Sequence, residues 1–491
     1  MSATLPPASG RDRRLVEFGP LLVLAGVGAS LALGMMLGYP TTEQRLMGLL
    51  ILGILSSTLA LVWPSVMVQI VFASSLMLVA WVVTGQRAIN PIDLLMPPVL
   101  VAGLIGSARR RARREDAAGS PLANPAIRMA TQRLVRCVWA FYGVAALSLV
   151  ALGMRGNVGG ALDSGLLLFR AIQGVLFFAM GIWWMRDERG IQVTERALQV
   201  GGWALVLANT WFILTMHISR AGVAWVVNDP AWPMSSPNEA AISLLILWAI
   251  LNARPETRRS PMRILLMGAC LIMLILTQSR SGLLAWLVYN LLTVRWWRMR
   301  SLAAVVAVLV PLAIFAPEKY MSRLSRTLAL DGGSFEAFTS IIRFYDWNTA
   351  LRVFLAHPLI GVGYMGYRFV SDDYNDFRLQ FGTAESYYLE VAADMGIAGV
   401  ITLGLALFAL WRVGKVVRSV TPPGSHGHEL ARRHGPLLLA LMVSNLTGNN
   451  FVGLVGLAQI ALWTALLVRA GHLSATGARV SAPLPGASPA I

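Results

Sequence analysis

The chain has 491 residues, of which 56% are apolar and 13% are charged. Soluble domains carry about 25% charged residues, so this composition excludes an ordinary soluble protein and indicates a polytopic membrane protein. The formal net charge of +17 would suggest nucleic acid in a soluble protein, but arginine in cytoplasmic loops explains it here. We therefore expect membrane lipids, with their anionic headgroups, as partners and no nucleic acid.

A membrane-spanning helix needs about 20 predominantly apolar residues. The sequence therefore predicts an all-α fold, a polytopic membrane protein of about 12–14 transmembrane helices with one long loop outside the cytoplasm. The candidate spans are residues 18–38, 46–63, 65–84, 92–108, 134–153, 165–185, 196–216, 238–253, 263–278, 282–297, 301–316, 395–413, 434–447 and 451–469.

The arginine-rich segments set the orientation of these spans. The cluster RRRARR at residues 109–114 belongs in the cytoplasm under the positive-inside rule, which places the long loop outside and both termini inside. The first apolar run follows Arg11, Arg13 and Arg14, and we expect it to be retained as a span rather than removed as a signal peptide. The predicted segments are a cytoplasmic N-terminus (1–17), transmembrane helices 1–11 (18–316), the loop (317–394), C-terminal transmembrane helices (395–470) and a disordered cytoplasmic tail (471–491).

Cys137 and Cys270 both lie in apolar spans, so no disulfide framework is expected. No group of cysteine and histidine residues has the spacing of a metal site, and the sequence predicts neither a metal nor a cofactor.

The loop at residues 317–394 is rich in acidic residues, and we interpret it as catalytic. A helix is predicted within it, capped by Ser334 and ended by His357 and Pro358. A helix of this kind at the membrane surface can cover a cavity as a lid, whereas a packed helix without catalytic duty is the alternative. Its apolar stripe is Phe335, Phe338, Ile342, Tyr345, Leu351 and Leu355.

Three arginines are candidate phosphate ligands. Arg280 lies at the outer end of a span, Arg220 lies in an outer loop, and Arg170 lies about one and a half turns inside a span. Guanidinium groups match phosphate oxygens two at a time, so the set predicts a seat for a lipid diphosphate. Snorkelling of each arginine to the membrane interface is the alternative.

Three residues of the loop are candidates for chemistry. Arg343 and Trp347 lie about one helical turn apart, and tryptophan serves both as a sugar platform and as an interface anchor. Glu385 is ionised at neutral pH and can accept a proton from a sugar hydroxyl. Its alternative role is to complement the N-terminus of the following helix.

Four segments in this order resemble the superfamily of bacterial O-antigen ligases and O-antigen or exopolysaccharide polymerases. They are SRSG at 279–282, Arg343 with Trp347, HPLIGVG at 357–363, and ESYYLEVAADMGIAG at 385–399. The resemblance covers roughly residues 238–413. It implies a metal-independent, inner-membrane glycosyltransferase of the C type, which transfers a glycan from undecaprenyl diphosphate to a glycan or lipid-linked acceptor on the periplasmic face.

The resemblance also implies roles for individual residues. Arg280 would hold the leaving diphosphate, with Arg220 as a second clamp and Arg343 in support. Asn238 is similar to the Pro-Asn element that opens a span in this superfamily. His357, in the HPLIGVG motif, is a weaker candidate base and is more consistent with a structural role.

Glu385 and Ser386 decide between the branches of the superfamily. Ligases that act on the lipid A core usually have a His-Asn pair at this position, and the glutamate is more similar to exopolysaccharide polymerases. We therefore predict a polymerase-like enzyme. In-line displacement at the anomeric carbon, with the base opposite the diphosphate, would invert the linkage. The alternatives are a lipid A core ligase and, in another class, a non-enzymatic flippase or exporter of lipid-linked glycan, for which charged residues through several spans are expected.

Overall fold

The structure is a computed structural model, and the residues that it describes are mostly helical, which confirms the predicted all-α fold class. They are residues 60, 64–75, 81–84, 87–89, 96–99, 101, 124–215, 224–226, 229–234, 237–253, 260–277, 279–293, 335–376, 382–448, 451 and 454–481.

Three of the described helices are long and apolar enough to cross a membrane, namely α2, α3 and α9. The protein is therefore integral to a membrane. The helices are α1 (Pro64–Ser74), α2 (Pro125–Met154), α3 (Val158–Trp184), α4 (Glu188–Thr215), α5 (Pro237–Asn252), α6 (Pro261–Leu276), α7 (Arg280–Thr293), α8 (Phe335–Ala356), α9 (Tyr387–Val420), α10 (His426–Ser444) and α11 (Leu454–Ser481).

Two short antiparallel hairpins depart from the helical pattern. Strand β1 (Trp81–Thr84) pairs with β2 (Arg87–Ile89), and β3 (Ala224–Val226) pairs with β4 (Asp229–Met234). The predicted span 65–84 is therefore not one helix, because α1 ends at Ser74 and a strand follows. The β-branched pair Val82 and Val83 favours an extended chain, which hydropathy alone does not register.

Several predicted segments lie outside the described residues or end differently. The spans at 18–38 and 301–316, nearly all of 46–63 and most of 92–108 are outside them, as is the N-terminus at 1–17. The predicted tail begins at residue 471, but α11 continues to Ser481 before the described residues end.

The chain divides into two compact units. The first comprises Met1–Pro121 and Phe177–Thr277, and the second comprises Leu122–Leu176 and Gln278–Ile491. Within the first, α4 packs against α1, and a Cβ at Gly201 would lie 2.4 Å from the carbonyl oxygen of Ala73. Small residues of this kind allow membrane helices to approach closely.

In the second unit α2 packs along α9, and α7 and α11 pack against α10. The buried His434 of α10 joins three helices, because Trp463 Nε1 donates to its Nδ1 at 3.0 Å and its Nε2 lies 2.9 Å from the Leu410 carbonyl. Both ring nitrogens are satisfied, as a buried imidazole requires.

Helix α9 is interrupted at Gly396, whose φ of 62° lies in the left-handed region. Residues 358–363 fill the interruption. Ile397 N–H donates to the Pro358 carbonyl at 2.8 Å, while Gly363 N–H donates to the Asp394 carbonyl at 2.8 Å. Backbone groups that a continuous helix would pair internally are therefore satisfied by the incoming turn.

Replacing Gly396 by alanine should destabilise the protein. A Cβ there would lie 2.5 Å from the carbonyl carbon of Leu359, and the left-handed conformation adds roughly 1–2 kcal/mol for a residue other than glycine. Thermal unfolding of the detergent-solubilised protein measures the effect. Gly404→Ala on the same helix is the control, because nothing lies within 4 Å of its added Cβ. Equal unfolding temperatures for the two variants would contradict the role given to Gly396.

Candidate functional site

Helix α8 presents a small buried face to the rest of its unit. It packs against α9 and against the 3-10 turn Ser371–Tyr374. The buried residues near its middle are Asp346, Thr349, Ala350 and Val353. Their spacing of three to four residues is that of one helical face.

The predicted apolar stripe lies largely on the other side of α8. Tyr345 and Leu351 are exposed, and Leu355 is 66% exposed. Hydropathy located the stripe, but in a membrane protein an apolar face can meet lipid instead of protein. Phe335 and Phe338 have side chains outside the described residues.

Arg343 and Glu385 form an ion pair across two elements, with Arg343 Nη2 3.4 Å from Glu385 Oε2. The side chain of Arg343 is 35% exposed and that of Glu385 is 43% exposed, so a substrate can reach both. Glu385 has a φ of 45°, a left-handed conformation that costs roughly 1–2 kcal/mol for a residue with a side chain. Strain at an exposed, charged residue is typical of functional sites.

Glu385 immediately precedes α9, whose N-cap is Ser386. The expected alternative role for Glu385 was to complement the start of this helix. Its carboxylate also reaches Arg343 on α8, so the pair joins the loop helix to the start of a membrane span.

Asp346 lies one helical turn beyond Arg343 and is 1% exposed. Its Oδ1 accepts a hydrogen bond from the Tyr367 hydroxyl at 2.5 Å, whereas its buried Oδ2 has no hydrogen-bond partner. Burial raises the pKa of Asp346 to about 7; the charge of Glu385 adds to the rise, and the Tyr367 hydrogen bond and Arg343 oppose it. Sequence reasoning missed this residue, although its spacing from Arg343 was a visible signal.

His357 holds the end of α8 in place. Its Nε2 lies 2.8 Å from the Tyr374 hydroxyl, and its Nδ1 lies 3.2 Å from Arg155 Nη2. Burial and the charge of Arg155 lower the pKa of His357, so the imidazole is neutral at neutral pH. Arg155 also donates to the Gly361 carbonyl at 3.3 Å. These contacts agree with a structural role for His357, and Arg155 is a partner that the sequence did not reveal.

Asp394 fixes the turn that follows His357. Its buried carboxylate accepts the backbone N–H of Met365 at 2.7 Å and that of Tyr367 at 2.8 Å. The second bond sets the backbone of the tyrosine that contacts Asp346. Asp394 lies in the segment ESYYLEVAADMGIAG but was not among the predicted site residues.

The predicted arginines occupy different elements. Arg280 is the first residue of α7 and is exposed, next to Ser279, whose hydroxyl accepts the Gly282 N–H at 3.0 Å. Arg170 lies on α3 and is half-buried in the same unit. Arg220 lies outside the described residues.

Trp347 and Asn238 are the two remaining predicted site residues. Trp347 is half-buried, one turn after Arg343, with its ring 5.5 Å from that of Phe344 in an edge-to-face arrangement. Asn238 is the second residue of α5, in the other unit. In the described part of the chain, no group of three or more His, Cys, Asp or Glu residues is arranged to hold a metal ion.

One known family matches the segment that contains this geometry: residues 264–404 match the family model described as O-antigen ligase. We call this matched segment the O-antigen ligase domain. The suspected membership in the O-antigen ligase and polymerase superfamily is thus confirmed for this segment. No curated protein matches the chain.

The O-antigen ligase domain runs from α6 into α9. It therefore contains Arg280, Arg343 and Glu385, together with Trp347 and His357. The other predicted site residues, Arg170, Arg220 and Asn238, precede it.

Asp346→Asn should make the stability of the protein less dependent on pH. The pKa of Asp346 rises on folding from 3.8 to about 7, so its buried carboxylate progressively destabilises the fold as the pH rises between these values. The cost is on the order of a few kcal/mol. The unfolding temperature of the variant relative to wild type should increase from about pH 4 to about pH 8. A constant difference across this range would show that Asp346 ionises as it does in the unfolded chain.

Proposed function

We propose that the protein is an inner-membrane glycosyltransferase that polymerises or transfers glycan units carried on undecaprenyl diphosphate. One observation carries the proposal: an accessible Arg343–Glu385 ion pair, with Glu385 in a strained conformation, inside an O-antigen ligase domain. The guanidinium of Arg343 orients this carboxylate, and an oriented carboxylate that a substrate can reach is what a general base requires.

Glu385 takes the proton from the acceptor hydroxyl. The acceptor oxygen then forms a bond to the anomeric carbon of the donor glycan, and the bond from that carbon to the diphosphate oxygen breaks. The electron pair leaves with undecaprenyl diphosphate, while the proton stays on Glu385. Attack opposite the leaving group inverts the anomeric configuration.

Arg280 stabilises the diphosphate as it leaves. Its position at the first residue of α7 supports this role, because a helix N-terminus and a guanidinium both favour negative charge. Arg170 and Arg220 assist as further phosphate ligands. Trp347 offers a ring for sugar stacking next to Arg343.

The exposed apolar side of α8 supports a place for the domain at the membrane surface. Leu359 and Ile360, in the turn after α8, extend this exposed apolar surface. The same turn is hydrogen-bonded to Ile397 of the apolar helix α9. The loop lies on the periplasmic face, and both termini lie in the cytoplasm, as the arginine distribution indicates.

Glu385 and Ser386 favour a polymerase over a lipid A core ligase. A carboxylate is a weaker base than the histidine usual in those ligases. The acceptor of the polymerase is the growing glycan or a second lipid-linked unit.

Glu385→Gln and Arg280→Ala should each reduce transfer by roughly a hundredfold or more, because one variant lacks the base and the other lacks a stabiliser of the leaving group. The measurement uses purified protein in nanodiscs with a lipid-diphosphate-linked oligosaccharide, and products are resolved by gel. Arg352→Ala is the control, since Arg352 is an exposed arginine of α8 that pairs with Asp376.

The outcomes separate the candidate functions. Transfer only to a lipid A core acceptor would identify a ligase. Translocation of the donor without any glycosidic product would identify an exporter. Full activity in Glu385→Gln would remove the base assignment.

A further inference from the structure

Arg155 directly follows α2, and the proposed transfer reaction does not use its exposed guanidinium. Its Nη2 donates to the Gly361 carbonyl at 3.3 Å and lies 3.2 Å from His357 Nδ1. Because burial and the charge of Arg155 lower the pKa of His357, the imidazole is neutral. In the described part of the chain no carboxylate oxygen lies within 4 Å of this guanidinium, whereas Arg352 of α8 pairs with Asp376 at 3.1 Å.

The two contacts orient Arg155 and leave most of its donors available. A guanidinium has five N–H groups, and the two on Nη2 point to the Gly361 carbonyl and to His357. Those on Nε and Nη1 make no hydrogen bond to the described residues. Because N–H groups of a charged guanidinium bind phosphate oxygens strongly, Arg155 provides an oriented site for an anion.

The exposed apolar side chains of α2 lead up to this residue. Leu147, Val150 and Met154 are all more than half exposed, and their spacing of three to four residues places them on one face. This face is the lipid-facing side of a helix long and apolar enough to cross a membrane. An arginine directly after such a face lies at the level of the lipid headgroups.

The turn that holds Arg155 lies at the same level by a second criterion. Leu359 and Ile360 of this turn are exposed, and the Pro358 carbonyl accepts the Ile397 N–H at 2.8 Å. Ile397 begins the exposed apolar residues of α9, which is also long and apolar enough to cross a membrane. Two membrane helices of the same unit therefore reach the headgroup level at this turn.

We propose that Arg155 binds the phosphate of a membrane phospholipid in the leaflet next to α8, and that this lipid holds the turn after α8 at the membrane surface. The ligand has a phosphodiester for the guanidinium and acyl chains for the exposed apolar residues of the turn and of α2. The proposal does not depend on the transfer reaction.

The geometry favours a phospholipid over the diphosphate carrier of the proposed reaction. His357, which contacts Arg155, follows Arg343 along α8 at a rise of about 1.5 Å per residue, so His357 and Arg343 lie roughly 20 Å apart. Under the proposed mechanism the leaving diphosphate is bonded to the sugar that reacts next to Glu385, which contacts Arg343. The reacting diphosphate therefore does not reach Arg155.

The test compares phospholipid binding by wild type and by Arg155→Gln. Glutamine keeps an amide donor for the turn but lacks the charge, so the variant should bind phosphatidylglycerol roughly tenfold or more weakly. Arg155→Lys, which retains the charge, should bind more tightly than Arg155→Gln. The measurement is a lipid titration of the delipidated, detergent-solubilised protein by native mass spectrometry. Diacylglycerol, which lacks the phosphate, should bind wild type and Arg155→Gln equally weakly.

Arg352→Gln is the matched control, because Arg352 is an exposed arginine whose charge is paired with Asp376. It should bind phosphatidylglycerol as wild type does. Added phosphatidylglycerol should raise the unfolding temperatures of wild type and Arg352→Gln by similar amounts and that of Arg155→Gln much less. A variant that only folded less well would still be stabilised by the lipid to the same extent.

Three results would overturn the inference. The first is equal affinity of wild type and Arg155→Gln for phosphatidylglycerol. The second is equal stabilisation of wild type by inorganic phosphate or by diacylglycerol, each of which has only one part of the ligand. The third is weaker binding of undecaprenyl diphosphate by Arg155→Gln with unchanged binding of phosphatidylglycerol, which would assign Arg155 to the carrier. None of these measurements uses glycan transfer, so failure of the proposed function would be seen separately.

Discussion

The buried carboxylate of Asp394 is the constraint on which the site depends. It accepts two backbone N–H groups from the turn after α8, those of Met365 and Tyr367. Backbone hydrogen bonds between residues 358–363 and residues 393–398 also join this turn to the interrupted part of α9. Buried N–H groups without partners would cost about 1–3 kcal/mol each, so turn and helix are stable only together. This joint positions Tyr367 against Asp346 and brings α8 to the start of α9.

The ion pair alone does not hold Glu385 in its conformation. An exposed pair contributes about 0–1 kcal/mol, whereas the left-handed backbone costs roughly 1–2 kcal/mol. Packing of the buried neighbouring residues provides the remaining stabilisation. Ala384 and Tyr387 lie in the core, and Tyr387 N–H lies 3.1 Å from the Asn445 carbonyl at the end of α10. The strained glutamate is therefore positioned by packing, and Arg343 sets the direction of its side chain.

Sequence reasoning found the chemical groups of the site but not their supports. Arg343 and Glu385 were both proposed from residue type and resemblance, and the structure brings them into contact. Asp346, Arg155 and Asp394 were missed. Each acts through a contact with a residue distant in the chain, such as the bond from Arg155 to His357. Helical spacing places Asp346 near Arg343, but periodicity and local motifs carry no information about contacts with residues distant in the chain. Only the folded chain reveals those contacts.

Hydropathy determined by itself that this chain is a helical membrane protein, because an apolar helix is the structure that satisfies its backbone groups in lipid. It also located α8 and the helices on either side of Arg280. The tertiary structure decided which face of α8 is buried and that α9 breaks at Gly396. It also decided that a buried aspartate lies one helical turn from Arg343. These features depend on contacts between distant segments, whose free energies are set by packing and burial rather than by the local order of residues.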